Sequence, residues 1–358
     1  MSRRRPTDAA LDGVLLVDKP VGPTSHDLVG WSRRVLGTRR VGHCGTLDPA
    51  ASGLLVVAVG AATRLVPLLT DADKVYRATF HLGRSTSSGD VDGETLEVAE
   101  VPPGALEAAR SALLGMVGPL DLSPPAFSAV KIDGERAHER ARRGEVVDLP
   151  PRRMVVLAVT EVALRPGPEP AIEARIAVSK GTYIRSLAEE LGRRVGLPVY
   201  LGGLRRLACG ELSVELSVDE DRVVHPTAIP AESGRGWWIE VPGLAAPDTS
   251  ARVRGALIEL RDHRALERLL GLPIVRLAPG ADAGRRLCMG QSIALAEIAG
   301  DPGEAPRVGL LAHDPAGFAS HLILARVAAD SGAGPDRRLA PERVLALAGA
   351  ADEITPGA

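Results

Sequence analysis

Immediately behind a loop ending in Asp48-Pro49 stands Leu54–Val59, six apolar residues in a row. Such a run, inside Ser52–Gly60, has no polar face to give to water and predicts a buried strand. Gly13–Val17 reads the same way, while Tyr76–Leu82 alternates as a half-buried strand does. Helices are predicted over about 26–36, 61–69, 103–114 and 183–195, with strands near 153–165, 171–179 and 211–217. Strands and helices are interspersed without a strict βαβ rhythm, which predicts an α+β fold.

Residues 1–11 and 349–358 read as mobile tails. A large domain is predicted over 12–250. Its charged segment 124–150 has proline borders and an exposed helix in G-E-R-A-H-E-R-A-R-R-G. Residues 226–256, rich in Pro and Gly and carrying Trp237 and Trp238, read as a linker or irregular extension. After a helix near 255–270, residues 273–348 read as a small β-rich domain. Its clearest piece is the hairpin R-V-G-L-L-A-H-D, P-A-G-F, A-S-H-L-I-L-A-R-V.

Composition excludes several classes. The 45% hydrophobic and 25% charged content is that of a globular protein. No apolar run reaches the roughly 20 residues that span a bilayer, and G-V-L-L-V is too short for a signal-peptide core, so a cytoplasmic protein without a membrane role is expected. The three cysteines, Cys44, Cys209 and Cys288, are dispersed, which suggests neither disulfides nor a metal site. With a net charge of -2, any nucleic-acid affinity must be local. The first 45 residues are basic, with eight Lys/Arg against four Asp/Glu. Only four of the 43 basic residues are lysine (Lys19, Lys74, Lys131 and Lys180), marking places where a compact ammonium is wanted.

Three segments carry chemistry. G-H-C-G-T-L-D-P at 42–49 is a constrained loop in which Pro49 keeps Asp48 out of helical geometry. A carboxylate there, next to basic residues and anchored by a core strand, suits catalysis, though it also suits a simple turn. D-K-V-Y-R at 73–77 places Tyr76 between two cations, as base stacking beside phosphates requires; strand packing is the alternative. S-K-G-T-Y-I-R-S-L at 179–187 joins a strand to a helix start. Arg185 there could pair with a buried carboxylate and lower its pKa. Arg205 and Arg206 follow in L-R-R-L, as further site cations or as solvated charges. No phosphate-cradling P-loop or Rossmann glycine pattern accompanies them.

Together these segments resemble the bacterial TruB-type tRNA pseudouridine synthases. The matching stretches are L-L-V-D-K-P-V-G-P-T-S (15–25), G-H-C-G-T-L-D-P-A-A-S-G-L-L (42–55), D-A-D-K-V-Y-R (71–77), L-G-R-S-T-S-S-G-D-V-D-G (82–93), P-P-A-F-S-A-V-K (124–131), S-K-G-T-Y-I-R-S-L (179–187) and L-R-R-L (204–207). The resemblance implies the pseudouridine synthase fold, with a mixed, mainly antiparallel central sheet. It implies a PUA-like RNA-binding domain at 273–348 and an RNA-clamping insertion at 124–150. It assigns Asp48 as catalytic aspartate, Tyr76 as the ring on the flipped uracil and Arg185 as the aspartate's partner. It places His43, Tyr183 and Leu204 around the extruded nucleotide, and Lys19, Arg64 and Lys131 near the RNA. Cys44 and Ser87 depart from the family's usual Thr and Asp, and the Trp-containing stretch has no clear counterpart.

The implied activity is isomerisation of uridine 55 in the tRNA T loop, without a cofactor, by a monomer with no obligatory protein partner. Two alternatives are a tRNA-binding or folding module in which catalysis is secondary, and a guide-RNA-dependent pseudouridine synthase.

Overall fold

The computed structural model describes residues 11–128, 130–132, 134–215, 222–231, 236–260, 262–277, 282–298, 305–313, 319–328 and 337–347. The tails expected at 1–11 and 349–358 lie outside them except for Leu11. One long sheet dominates. Its order is Val223–Val224, Gly13–Lys19, Ala51–Val59, Val199–Cys209, Lys74–Leu82, Ala171–Val178, Arg152–Arg165 and Gly118–Leu122. Two of its contacts are parallel, Gly13–Lys19 with Val223–Val224 and Ala51–Val59 with Val199–Cys209, and the other neighbours along this order run antiparallel. The sheet is therefore mixed and mainly antiparallel, as expected.

The apolar run is buried on both faces. Leu54, Val56 and Ala58 enter one core cluster while Leu55, Val57 and Val59 enter another. By contrast, Lys74–Leu82 has one packed face, with Tyr76, Ala78 and Phe80 buried and Arg77, Thr79 and His81 on the other side. Helices Ala105–Leu114 and Ile184–Val195 cover that packed face.

The structure corrects the sequence reading at three places. Of the strand expected near 211–217 the described residues form only Leu212–Ser213, which pairs with a long strand, Val199–Cys209, that was not expected. Gly202-Gly203 and Arg205-Arg206 broke the apolar alternation, and the register shift between Leu201 and Gly203 breaks the period itself. Residues 226–256 are not a loose linker. Thr227–Pro230 pairs with Trp237–Glu240, and a helix runs Ala246–Gly255. That helix is tied to the end of helix Ser25–Leu36, where Ser250 Oγ donates to Val35 O (2.8 Å) and Arg254 Nη2 to Leu36 O (3.3 Å). The helix expected over 61–69 is a 3-10 turn, Gly60–Leu65, followed by the short helix Val66–Thr70.

The C-terminal part is a five-stranded sheet ordered Ile274–Arg276, Arg307–His313, Ala319–Ala328, Arg338–Ala346 and Ile293–Ala294. It is the β-rich, PUA-like unit expected. Its Leu311, Leu322, Leu324 and Leu345 share one core cluster with Leu54 and Val56 of the large sheet. Burial of that shared surface ties the two sheets together. Among the described residues no helix is long and apolar enough to cross a membrane.

Candidate active site

Asp48 lies on the loop feeding strand Ala51–Val59. That strand and Val199–Cys209 approach so closely that a Cβ on Gly53 would meet the Arg206 carbonyl oxygen at 2.2 Å. Glycine at 53 thus lets the two strands meet just behind the carboxylate.

The loop is gripped by two buried cations acting on main-chain carbonyls. Lys19, fully buried, donates from Nζ to Ala51 O (2.6 Å), Pro20 O (3.1 Å) and Pro49 O (3.2 Å). Arg206, 1% exposed, donates from Nε to Leu54 O (2.6 Å), from Nη2 to Gly45 O (3.2 Å) and from Nη1 to Thr46 O (3.5 Å). Buried charges demand such partners, so both side chains fix the backbone on either side of residue 48. Burial also lowers the Lys19 pKa to about 8.

The Asp48 side chain is 39% accessible and faces Arg185, whose Nη2 is 3.0 Å from Asp48 Oδ2. Arg185 itself is buried at the first turn of helix Ile184–Val195. Nη2 also donates to Phe127 O (2.8 Å), Nη1 donates to Ser88 O (3.2 Å), and Nε lies 3.7 Å from Asp90 Oδ2. The guanidinium therefore joins four segments distant in sequence. Ser88 Oγ and the Asp92 N–H in turn donate to Asp90 Oδ1, orienting the second carboxylate.

The sequence reading expected Arg185 to lower the Asp48 pKa. The net direction is upward: burial outweighs the favourable Arg185 charge, and the Asp90 and Asp92 charges add to the rise. Burial thus disfavours the charged form of Asp48, and the Arg185 guanidinium favours it.

Tyr76 is buried in the core cluster that contains Leu47 and Ile184, and Tyr183 and Leu204 pack partly buried against it. Burial raises the Tyr183 pKa. Asp48, Tyr76, Tyr183, Arg185 and Leu204 thus gather on the packed side of the sheet. His43 pairs with Val57 on a short edge strand. Its buried Nδ1 has no partner among the described residues, and burial disfavours its protonation.

The cations fare differently. Lys19 offers no ammonium to solvent, since its donors are spent beneath the loop. Arg64 is exposed in the 3-10 turn beyond the far end of Ala51–Val59, where its carbonyl accepts from Arg343 Nη1 (2.5 Å). Lys131 falls in the two-residue strand opposite Glu135–Arg136, and its side chain lies outside the described residues. Lys74 and Lys180 turn to structure as well, Lys74 to the Thr70 and Ala72 carbonyls and Lys180 to Asp71. Sequence reasoning missed Ser25 and the loop-holding function of Arg206, because a serine hydroxyl and an arginine on a strand carry no signal until the chain brings them under residue 48. Asp90 and Asp92 were legible in S-G-D-V-D-G but were given no site role.

The model of the TruB family pseudouridylate synthase N-terminal domain matches residues 33–184. The tRNA pseudouridine synthase B of Thermobifida fusca is 42% identical over 261 residues, covering 70% of this chain and 88% of that protein. The tRNA pseudouridine synthase B of Cupriavidus pinatubonensis is 36% identical over 337 residues and covers 94% of both chains. The chain belongs to the TruB family of pseudouridylate synthases.

As a TruB-family member it is a pseudouridine synthase, an isomerase. Solved structures agree on the fold. A chain of the Cbf5-Nop10-Gar1 complex superposes with a TM-score of 0.59 at 22% identity, covering 96% of this chain and 91% of that one. A chain of an H/ACA RNP bound to a substrate RNA containing 2'-deoxyuridine gives 0.59 at 20% identity, covering 96% and 92%. At these identities the likeness establishes the fold alone.

Proposed function

We propose that this chain converts uridine 55 in the T loop of tRNA to pseudouridine, with Asp48 as the catalytic carboxylate, Arg185 as its counter-ion and Tyr76 as the ring beneath the uracil. The observation that carries this reading is the 3.0 Å contact of Arg185 Nη2 with Asp48 Oδ2, next to the core cluster that holds Leu47, Tyr76 and Ile184. The names of the relatives support tRNA as the substrate.

The reaction breaks the N1–C1′ bond of uridine, turns the uracil, forms the C5–C1′ bond, and moves a proton from C5 to N1. Neither redox change nor hydrolysis is involved. A base held in a folded loop must first be extruded, at a cost of a few kcal/mol. Stacking on an aromatic ring returns about 1–3 kcal/mol. Both routes open to the carboxylate, attack on the sugar and removal of the 2′ proton, need Asp48 ionised. Its raised pKa makes it the stronger base once charged, and Arg185 limits the rise. Leu204 and Tyr183 wall the base pocket, and His43 helps hold the opened nucleotide. Arg64, Lys131 and the C-terminal sheet contact the tRNA away from the chemistry. Lys19 serves beneath the loop. The segment 124–150 clamps the T arm, and its Phe127 carbonyl already holds Arg185 (2.8 Å). The enzyme works in the cytoplasm as a monomer.

The test is to incubate the purified chain with unmodified tRNA, without guide RNA or other protein, and to map pseudouridine at nucleotide resolution. Conversion confined to position 55 is expected. No conversion without a guide, or conversion elsewhere, overturns the reading.

A further inference from the structure

Trp237 stands in the strand Trp237–Glu240, part of the hairpin that looked like a linker in sequence. Its ring is partly buried against the cluster holding Leu15, Val17, Leu28 and Ile239. The far edge of its six-membered ring rests on Gly22: a Cβ built there would lie 2.4 Å from Trp237 Cη2 and 2.7 Å from Cζ2. Gly22 has φ of +113°, a conformation that side chains resist, so this contact is open to glycine alone. The Gly22 N–H donates to the Pro49 carbonyl (2.9 Å), and Pro49 follows Asp48 directly. An unbroken line of contact thus runs from indole to Gly22, to Pro49 and to the catalytic carboxylate. Beside it opens a cleft of about 590 Å³, which Trp237 walls together with Pro49, Ala50, Thr79 and Asp92.

We propose that Trp237 is a positioning residue for Asp48. Resting on the function proposed above, this makes the hairpin of Thr227–Pro230 and Trp237–Glu240 an outer brace of the catalytic loop. Lys19 and Arg206 hold the loop from within, Lys19 reaching the turn at Pro20, and the outer side of that turn is met at Gly22. The indole fills that place with a rigid plane, and the Gly22 N–H, pressed toward Pro49, keeps the Asp48 carboxylate at the distance Arg185 sets. Reacting groups tolerate little displacement, since a misplacement of ~1 Å can cost ~100-fold in rate.

The test compares Trp237→Ala, Trp237→Phe and Trp238→Phe in the full chain, using single-turnover rates and KM on unmodified tRNA. Trp238 is the control: it is 67% exposed, and its Nε1 donates to Glu240. Trp237→Ala is expected to lower the single-turnover rate about 10-fold with KM within about 2-fold of wild type. Trp237→Phe should recover most of that loss, because a six-membered ring can still meet Gly22, and Trp238→Phe should change neither constant. A second reading uses fluorescence in a Trp31→Phe/Trp238→Phe background, where Trp237 is the sole tryptophan. Adding tRNA is expected to shift its emission, because RNA bound beside Asp48 changes the polarity of the cleft that the indole lines.

A rate for Trp237→Ala within about 2-fold of wild type overturns the proposal. So does a loss carried wholly by KM, which would make Trp237 an RNA contact on the cleft wall. If Trp237→Ala fails to fold, the phenylalanine variant and the emission of the folded background protein decide the matter. A folded Trp237→Phe that has lost as much rate as was expected of the alanine variant, or an emission unmoved by tRNA, counts against the brace. Wild-type protein that makes no pseudouridine would instead sink the proposed function, which separates the two failures.

Discussion

Ser25 and Leu47 hold each other twice: the Leu47 N–H donates to Ser25 Oγ (2.8 Å), and the Ser25 hydroxyl donates to the Leu47 carbonyl (3.0 Å). Both bonds are buried, and Leu47 precedes Asp48. Ser25 opens a helix whose start is fixed by a capping box between Thr24 and Asp27, so the hydroxyl is presented from a rigid end. Ser25→Ala leaves a buried amide and a buried carbonyl without partners. A destabilisation of about 1–3 kcal/mol is expected, with a slower single-turnover rate and unchanged tRNA affinity. Urea unfolding, a single-turnover assay and filter binding check the three, and wild-type stability together with wild-type rate would refute it.

Asp48→Asn is expected to bind tRNA and make no pseudouridine. It should also be more stable than wild type at neutral pH. Burial raises the Asp48 pKa in the folded chain above the ordinary 3.8. Between the unfolded and folded values the native state binds more protons, so wild-type stability falls as pH rises through that window and stays reduced above it. Below the unfolded value both states are protonated and the advantage of asparagine disappears. Melting temperatures measured below the ordinary aspartate range and again at neutral pH show the difference. For the same reason the acid limb of wild-type activity should lie above the range of an ordinary aspartate.

Lys19 makes a prediction at the other end of the scale. Its folded pKa of about 8 lies below the ordinary 10.5. Between those values the unfolded chain binds more protons, so this group makes stability rise with pH across that window. The ammonium that grips the Pro49 and Ala51 carbonyls is nevertheless lost there. Activity is expected to fall as pH passes about 8 while the protein does not unfold. Lys19→Met should be slow at every pH and lack that limb. A limb of equal size in the methionine variant would assign it to another group.

Tyr76→Phe keeps the buried ring and is expected to melt close to wild type, whereas Tyr76→Ala should cost about 3–5 kcal/mol, as large aromatic truncations do. For Tyr76→Ala, single-turnover rate should fall far more than tRNA affinity. A folded Tyr76→Ala with an unchanged single-turnover rate would remove Tyr76 from the chemistry.

The legible parts of this chain were those in which a residue's own neighbours state its environment. Leu54–Val59 announced burial on both faces by having no polar position. Asp48 announced a constrained loop through the flanking glycines and Pro49, and Tyr76 an alternating strand. The strand Val199–Cys209 was hidden because its glycines, arginines and register shifts break the period that betrays a strand. The Trp237 hairpin was hidden because two short strands among Pro and Gly have too few residues to show any period.

The order of the residues was enough to put a carboxylate, an aromatic ring and a guanidinium on ordered segments, since local patterning governs local structure. Which cations face the site and which lie under it was settled by the folding of distant segments onto one another. Lys19 and Arg206 read as surface charge or RNA contact, yet long-range strand pairing buries both beneath residue 48. The same packing reversed the expected pKa of Asp48, because the desolvation of a carboxylate depends on everything packed around it, which no run of neighbouring letters records.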